Sequence, residues 1–196
     1  IESQGIIGDA SRWCERVSGG LFREPVNTLS NLGFMVVGIY IFYTITTDTN
    51  TSANNYFVGL TGISILYASA AIFLGPGSML MHGTNSGWGG LADNLSMIMY
   101  ILIPWLYNIF RMSNWTVRRF LEIYFSIVVT YAVMRWISGW GLGINLELFS
   151  VSIGLWAISE FLFKFWSPLF RFLSGFVGFV VLALFGTTPL DVIANF

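Results

Sequence analysis

The sequence predicts an all-α polytopic membrane protein, a bundle of transmembrane helices rather than a chain folded around one soluble core. Three observations carry that expectation. Of 196 residues, 55% are hydrophobic and only 10% charged, which is more apolar surface than a single soluble core hides. Mostly apolar runs of roughly 20 residues, the length at which a helix crosses about 30 Å of hydrocarbon, recur six times. The ten-residue alternation of a membrane barrel does not repeat, so helices must satisfy the backbone inside lipid.

Taken in order, residues 1–25 read as an extramembrane N-terminal segment. The bundle is expected over 26–186, with crossings at 26–46, 56–81, 93–110, 120–137, 144–163 and 168–185, and 187–196 forms the C-terminal end. Gly59, Gly62, Ala68, Ser69, Ala70 and Ala71 are small enough to let neighbouring backbones approach the second crossing, which is expected to be central. Trp105, Trp115, Trp136, Trp140 and Trp166 fall near crossing ends, as in the aromatic belts of membrane proteins. Pro104 is expected to kink the third crossing. By parity the tail, the link 82–92, the link 138–143 and the end after 186 share one side. The other side exceeds it in Lys and Arg by one, a slight bias toward being cytoplasmic.

Nine basic and ten acidic residues give a net charge of -1, leaving no basic stripe to neutralise phosphates and excluding a nucleic-acid partner. A single cysteine, Cys14, allows no internal disulfide, and a single histidine allows no zinc-finger spacing. Ile1 stands where an initiator methionine would, so a longer gene product is expected. No secretory signal pattern opens the chain.

The lone histidine, His82, carries the chemical interest. Ser78 and His82 are four apart and would share one face of a helix continuing through them. Asp93 is expected to open the next crossing, after a link rich in glycine (Gly83, Gly87, Gly89, Gly90) that permits a tight return. A hydroxyl, an imidazole and a carboxylate would then meet at one end of two adjacent helices. In the functional reading His82 ligates zinc, Asp93 moves the proton of an activated water, and Ser78 hydrogen-bonds the oxyanion formed on an attacked carbonyl. A serine nucleophile ranks lower, because such a serine sits on a sharp turn. In the alternative, His82 merely ends a helix, Ser78 bonds back to a carbonyl and Asp93 caps the next helix. Glu147, Glu160 and Arg135, near crossing ends, are expected to snorkel or pair across helices rather than relay protons.

The run G-x-G-S-x-x-x-H with an aspartate eleven residues after the histidine resembles the alkaline ceramidases and the wider membrane-hydrolase superfamily that includes adiponectin-receptor-like proteins. Gly75, Gly77, Ser78, His82 and Asp93 match it in order and spacing. A second block, Trp13-Cys14-Glu15 followed by Glu24, Asn27, Thr28, Ser30 and Asn31, resembles that family's tail and entry to the first helix. Arg12 and Val17 stand where the family has an aspartate and an asparagine, and Asn94 and Ser96 replace an acid and a proline.

The resemblance implies a seven-helix bundle, of which the six crossings here would lack the last, hydrolysing the amide of a ceramide-type lipid to fatty acid and sphingoid base. It implies zinc at His82, catalysis by Ser78 and Asp93, and calcium held by Glu15, Glu24 and the backbone of Trp13. The family's remaining zinc ligands are a histidine pair on the seventh helix, which is expected beyond Phe196. The implied partners are a membrane lipid substrate and the bilayer. A second hypothesis is a non-catalytic subunit that keeps the scaffold for assembly with partner membrane subunits. A transporter gains little, because no interrupted helices pair up between two halves.

Overall fold

The computed structural model describes residues 6–11, 13–48, 55–137 and 148–166. Their helices are α1 (Pro25–Ser30), α2 (Leu32–Thr47), α3 (Gly62–Thr84), α4 (Gly87–Met112), α5 (Val117–Ile137) and α6 (Leu148–Trp166). Among the described residues the only β pairing is an isolated bridge between Ala10 and Arg16.

Four helical stretches among the described residues are long and apolar enough to cross a membrane: Pro25–Thr47, which takes in α1 and α2, then α3, α4 and α5. The six expected crossings are therefore an overcount on these residues. The fifth corresponds to α6, which is not among the four. The sixth, 168–185, lies outside the described residues, as do Arg12, Trp140 and Glu147.

The chain divides into two compact units, residues 1–100 with 125–145, and residues 101–124 with 146–196. In the first, Pro25 occupies the first turn of α1, where its missing N–H costs nothing. A single residue, Asn31, separates α1 from α2, and its side chain returns to the Asn27 carbonyl at 2.7 Å. Thr61 and Ser64 cap α3 reciprocally, so the helix starts at Gly62 rather than at 56.

The buried residues of α3, among them Ala68, Ala70, Ala71, Gly75 and Gly77, face neighbouring helices. A Cβ on Gly75 would lie 2.9 Å from the Asn31 carbonyl oxygen, and one on Gly38 of α2 would lie 2.6 Å from the Ile72 amide nitrogen. Backbone meets backbone there, as the small-residue pattern predicts. Pro76 sits within α3 and Pro104 within α4, each inside a helix that continues past it.

The link between α3 and α4 is shorter than expected. Helix α4 begins at Gly87, six residues before Asp93, and only Asn85 and Ser86 join the two helices. Asn85 takes the left-handed conformation (φ 45°) that ends α3, a shape asparagine tolerates. The Ser86 hydroxyl accepts from the Gly89 amide and caps α4. Gly83, Gly87, Gly89 and Gly90 are thus helical, and they do not form a flexible return. A Cβ on Gly89 would sit 2.6 Å from the Leu80 carbonyl oxygen. The glycine is there for close packing, which composition alone does not separate from a loop.

The second unit holds its own core of Ile101, Leu102, Ile103, Leu106, Phe110, Phe120 and Tyr124. The Phe110 and Phe120 rings meet edge to face at 5.8 Å, and Phe120 stacks on Tyr124. Within it the Asn108 amide donates to Ser159 Oγ at 3.1 Å and to Glu160 Oε2 at 2.6 Å. Glu160 therefore pairs across helices.

Candidate functional site

The site is assembled at the C-terminal end of α3 by the chain that precedes α1. The last carbonyls of any helix lack partners within it. Here the amides of Arg23 and Glu24 donate to the carbonyls of Gly83 and His82, both at 3.0 Å. Those bonds fix the extended stretch before α1 against the end of α3 and bring the Glu24 side chain beside His82.

Glu24 Oε2 lies 2.7 Å from His82 Nδ1. The carboxylate is 1% exposed and the imidazole 14%. Burial raises the Glu24 carboxyl, but hydrogen bonds from Asn27, His82 and Ser11 and the nearby imidazole charge outweigh it and hold the group below its ordinary value. Glu24 is thus ionised near neutrality and can only accept. His82 Nδ1 is then the donor in this bond, and Nε2 is the ring nitrogen turned away from the carboxylate. Trp13 packs edge to face on the imidazole, with ring centroids 5.8 Å apart.

Ser78 lies one turn before His82 on α3, and Asp93 sits in the second turn of α4. Ser78 and His82 both lie close enough to the Asp93 carboxyl to act on its electrostatics. The close packing of Gly77 against Ser96 and Ala92 and of Gly89 against Leu80 makes this meeting geometrically accessible. Asp93 is inside α4, so it does not cap it. Ser78, His82 and Asp93 therefore come together at the neighbouring ends of α3 and α4.

Glu15 is placed differently from Glu24. Its Oε1 and Oε2 accept from the amides of Val26 and Asn27, both at 2.8 Å, so it caps the first turn of α1 from eleven and twelve residues upstream. The Trp13 amide is engaged by Ser11 Oγ. Among the described residues no group of three or more His, Cys, Asp or Glu side chains is placed to hold an ion. Calcium takes six to eight oxygens. Glu15 faces helix amides and Glu24 faces His82 and Asn27, so these donors do not fit a shared calcium cradle.

His82 does fit one donor position of a zinc site, because metal-ligating imidazoles commonly give their other ring N–H to a carboxylate. The role of Glu24 as that carboxylate is what sequence reasoning missed. Glu24 and His82 are 58 positions apart, and only the main-chain bonds between the pre-α1 stretch and the α3 terminus join them.

No curated protein and no solved structure matches the chain. A model of the ceramidase family matches residues 10–159, more than half of the chain and all of the site just described. With that match and four helices long enough to cross a bilayer, the chain is a multi-pass integral membrane protein and belongs to the ceramidase family.

Proposed function

We propose that this protein hydrolyses the amide bond of ceramide-type lipids, releasing a fatty acid and a sphingoid base, at a zinc-dependent site on the α3–α4 turn. Membership in the ceramidase family supports a ceramide-hydrolysing role in general. The finer reading is carried by one observation, the Glu24 carboxylate on His82 Nδ1, with Ser78 and His82 both near the Asp93 carboxyl.

His82 would hold the metal through Nε2, its ring orientation and tautomer set by Glu24. Zinc bound there would supply Lewis-acid activation of water and of the amide carbonyl. Asp93 accepts a proton from the attacking water and returns it to the amide nitrogen as the C–N bond breaks. Ser78 holds the Asp93 carboxyl in place through its hydroxyl. Trp13 shields one edge of the imidazole from water. No step runs through calcium.

A second reading, a non-catalytic subunit assembled with partner helices, rests on His82 being the one histidine in these 196 residues, since catalytic zinc takes about three protein ligands. One experiment separates the two. The full-length gene product, purified in detergent, is assayed for zinc by elemental analysis and for hydrolysis of a fluorescent ceramide, beside His82→Ala. The enzyme reading expects about one zinc per chain, with both zinc and hydrolysis lost in the variant. A zinc-free protein, or hydrolysis untouched by His82→Ala, overturns it.

A further inference from the structure

We infer that Glu15 is a positioning residue for His82: by taking the two amides at the start of α1, it keeps the Glu24 carboxylate turned toward the imidazole. The inference gives the tail a part in the site proposed above and rests on that reading for its use, whereas its geometry needs neither metal nor substrate.

Glu24 occupies the N-cap position of α1, yet its side chain makes no bond to the amides of its own helix. A carboxylate at a helix start is drawn to the first amides, which lack partners within the helix and form the positive end of its dipole. Here none is left for it. Pro25 has no N–H, and the Val26 and Asn27 amides donate to Glu15 Oε1 and Oε2, both at 2.8 Å. The Thr28 amide donates to the main-chain carbonyl of Glu24 at 2.8 Å. Every backbone donor of the first turn is thus accounted for without the Glu24 carboxylate.

That carboxylate turns the other way. Its Oε2 accepts from Asn27 Nδ2 at 2.9 Å and meets His82 Nδ1 at 2.7 Å. Asn27 stands between the two acids, giving its main-chain N–H to Glu15 and its side-chain amide to Glu24. Without Glu15, the Val26 and Asn27 amides would face a carboxylate two and three residues upstream. Glu24 would then answer them at the expense of His82.

The tail is built to hold Glu15 in place. It doubles back at Cys14, which takes a left-handed conformation (φ 65°) and donates its amide to the Ser11 carbonyl at 3.0 Å. The Ser11 amide donates to the Glu15 carbonyl at 2.7 Å, Ala10 and Arg16 are bridged, and Val17 is buried. With both oxygens on amides, Glu15 serves the helix start rather than the calcium that the family resemblance implies.

The test reads the His82 tautomer. Full-length protein carrying isotopically labelled histidine is purified in detergent and freed of metal with a chelator, and the His82 signals are assigned by their loss in His82→Ala. Proton–nitrogen correlation spectra at one pH then show which ring nitrogen carries the proton. Wild type should hold it on Nδ1, and Glu24→Ala should lose that preference. Glu15→Ala should lose it too, with an unchanged circular-dichroism spectrum, whereas Glu15→Gln, which keeps one acceptor oxygen, should lose less. A preference absent from wild type, or lost in Glu24→Ala but untouched by Glu15→Ala, overturns the inference. If Glu15→Ala fails to fold, Glu15→Gln beside Glu24→Ala makes the same comparison. Calcium added to wild type should leave the His82 signals in place, and a change that the Glu15 variants abolish overturns the inference in favour of a metal ligand. Failure of the hydrolase reading looks different: wild type would hold no zinc and cleave no ceramide while its tautomer still followed Glu15, which supports the inference.

Discussion

His82 Nδ1 and Glu24 Oε2 stand 2.7 Å apart, although 58 positions separate the two residues in the chain. The bond decides which ring nitrogen of His82 is free. If that is its use, Glu24→Gln, which keeps the shape but loses the charge, should lower kcat for ceramide hydrolysis about 10- to 100-fold and weaken zinc retention similarly. KM should move little. Steady-state kinetics with a zinc assay on the full-length protein would check this, and a change confined to KM would assign Glu24 to substrate instead.

Ser78 lies beside the Asp93 carboxyl, and in the proposed reading its hydroxyl orders that carboxylate. Ser78→Ala should therefore reduce kcat through a less ordered carboxylate, while Asp93→Asn should reduce it further. Because both act on one proton transfer, the double variant should be no slower than Asp93→Asn alone. Additive losses in single-turnover assays would separate the two roles and restore Ser78 as an independent donor.

Gly89→Ala places a methyl 2.6 Å from the Leu80 carbonyl oxygen, a backbone atom that cannot swing aside. Overpacking of this kind costs about 1–3 kcal/mol. Thermal unfolding in detergent should show the loss, whereas Gly87→Ala, with open space around its Cβ position, should be close to neutral.

In the second unit, Asn108→Ala leaves Glu160 without its 2.6 Å donor inside a bundle. The expected cost is about 1–2 kcal/mol, and a double-mutant cycle with Glu160→Gln should recover a coupling of about 1 kcal/mol. A coupling near zero would mean that Asn108 serves Ser159 alone.

The tail is held by charge at a helix start. Glu15 gives both oxygens to amides of α1, so Glu15→Ala should cost about 1 kcal/mol and expose the segment before residue 24 to protease first. Limited proteolysis followed by mass spectrometry reads this directly.

The sequence by itself determined what depends on local periodicity and chemistry: an all-helical membrane chain, the membership carried by Trp13–Glu15 and Gly75–Asp93, and the one-turn spacing of Ser78 and His82 on α3. Helical spacing puts side chains four apart on one face, and a short link returns the next helix to the same end. Only the tertiary structure decided which partner each acid takes. Glu15 and Glu24 read alike in the tail, yet one caps α1 and the other orients His82, because carbonyls orphaned at the end of α3 recruit the amides of Arg23 and Glu24. The glycines after His82 were ambiguous for a similar reason. A missing Cβ serves a bend or a close contact equally well, and the neighbour that settles the matter, the Leu80 carbonyl, lies on another helix.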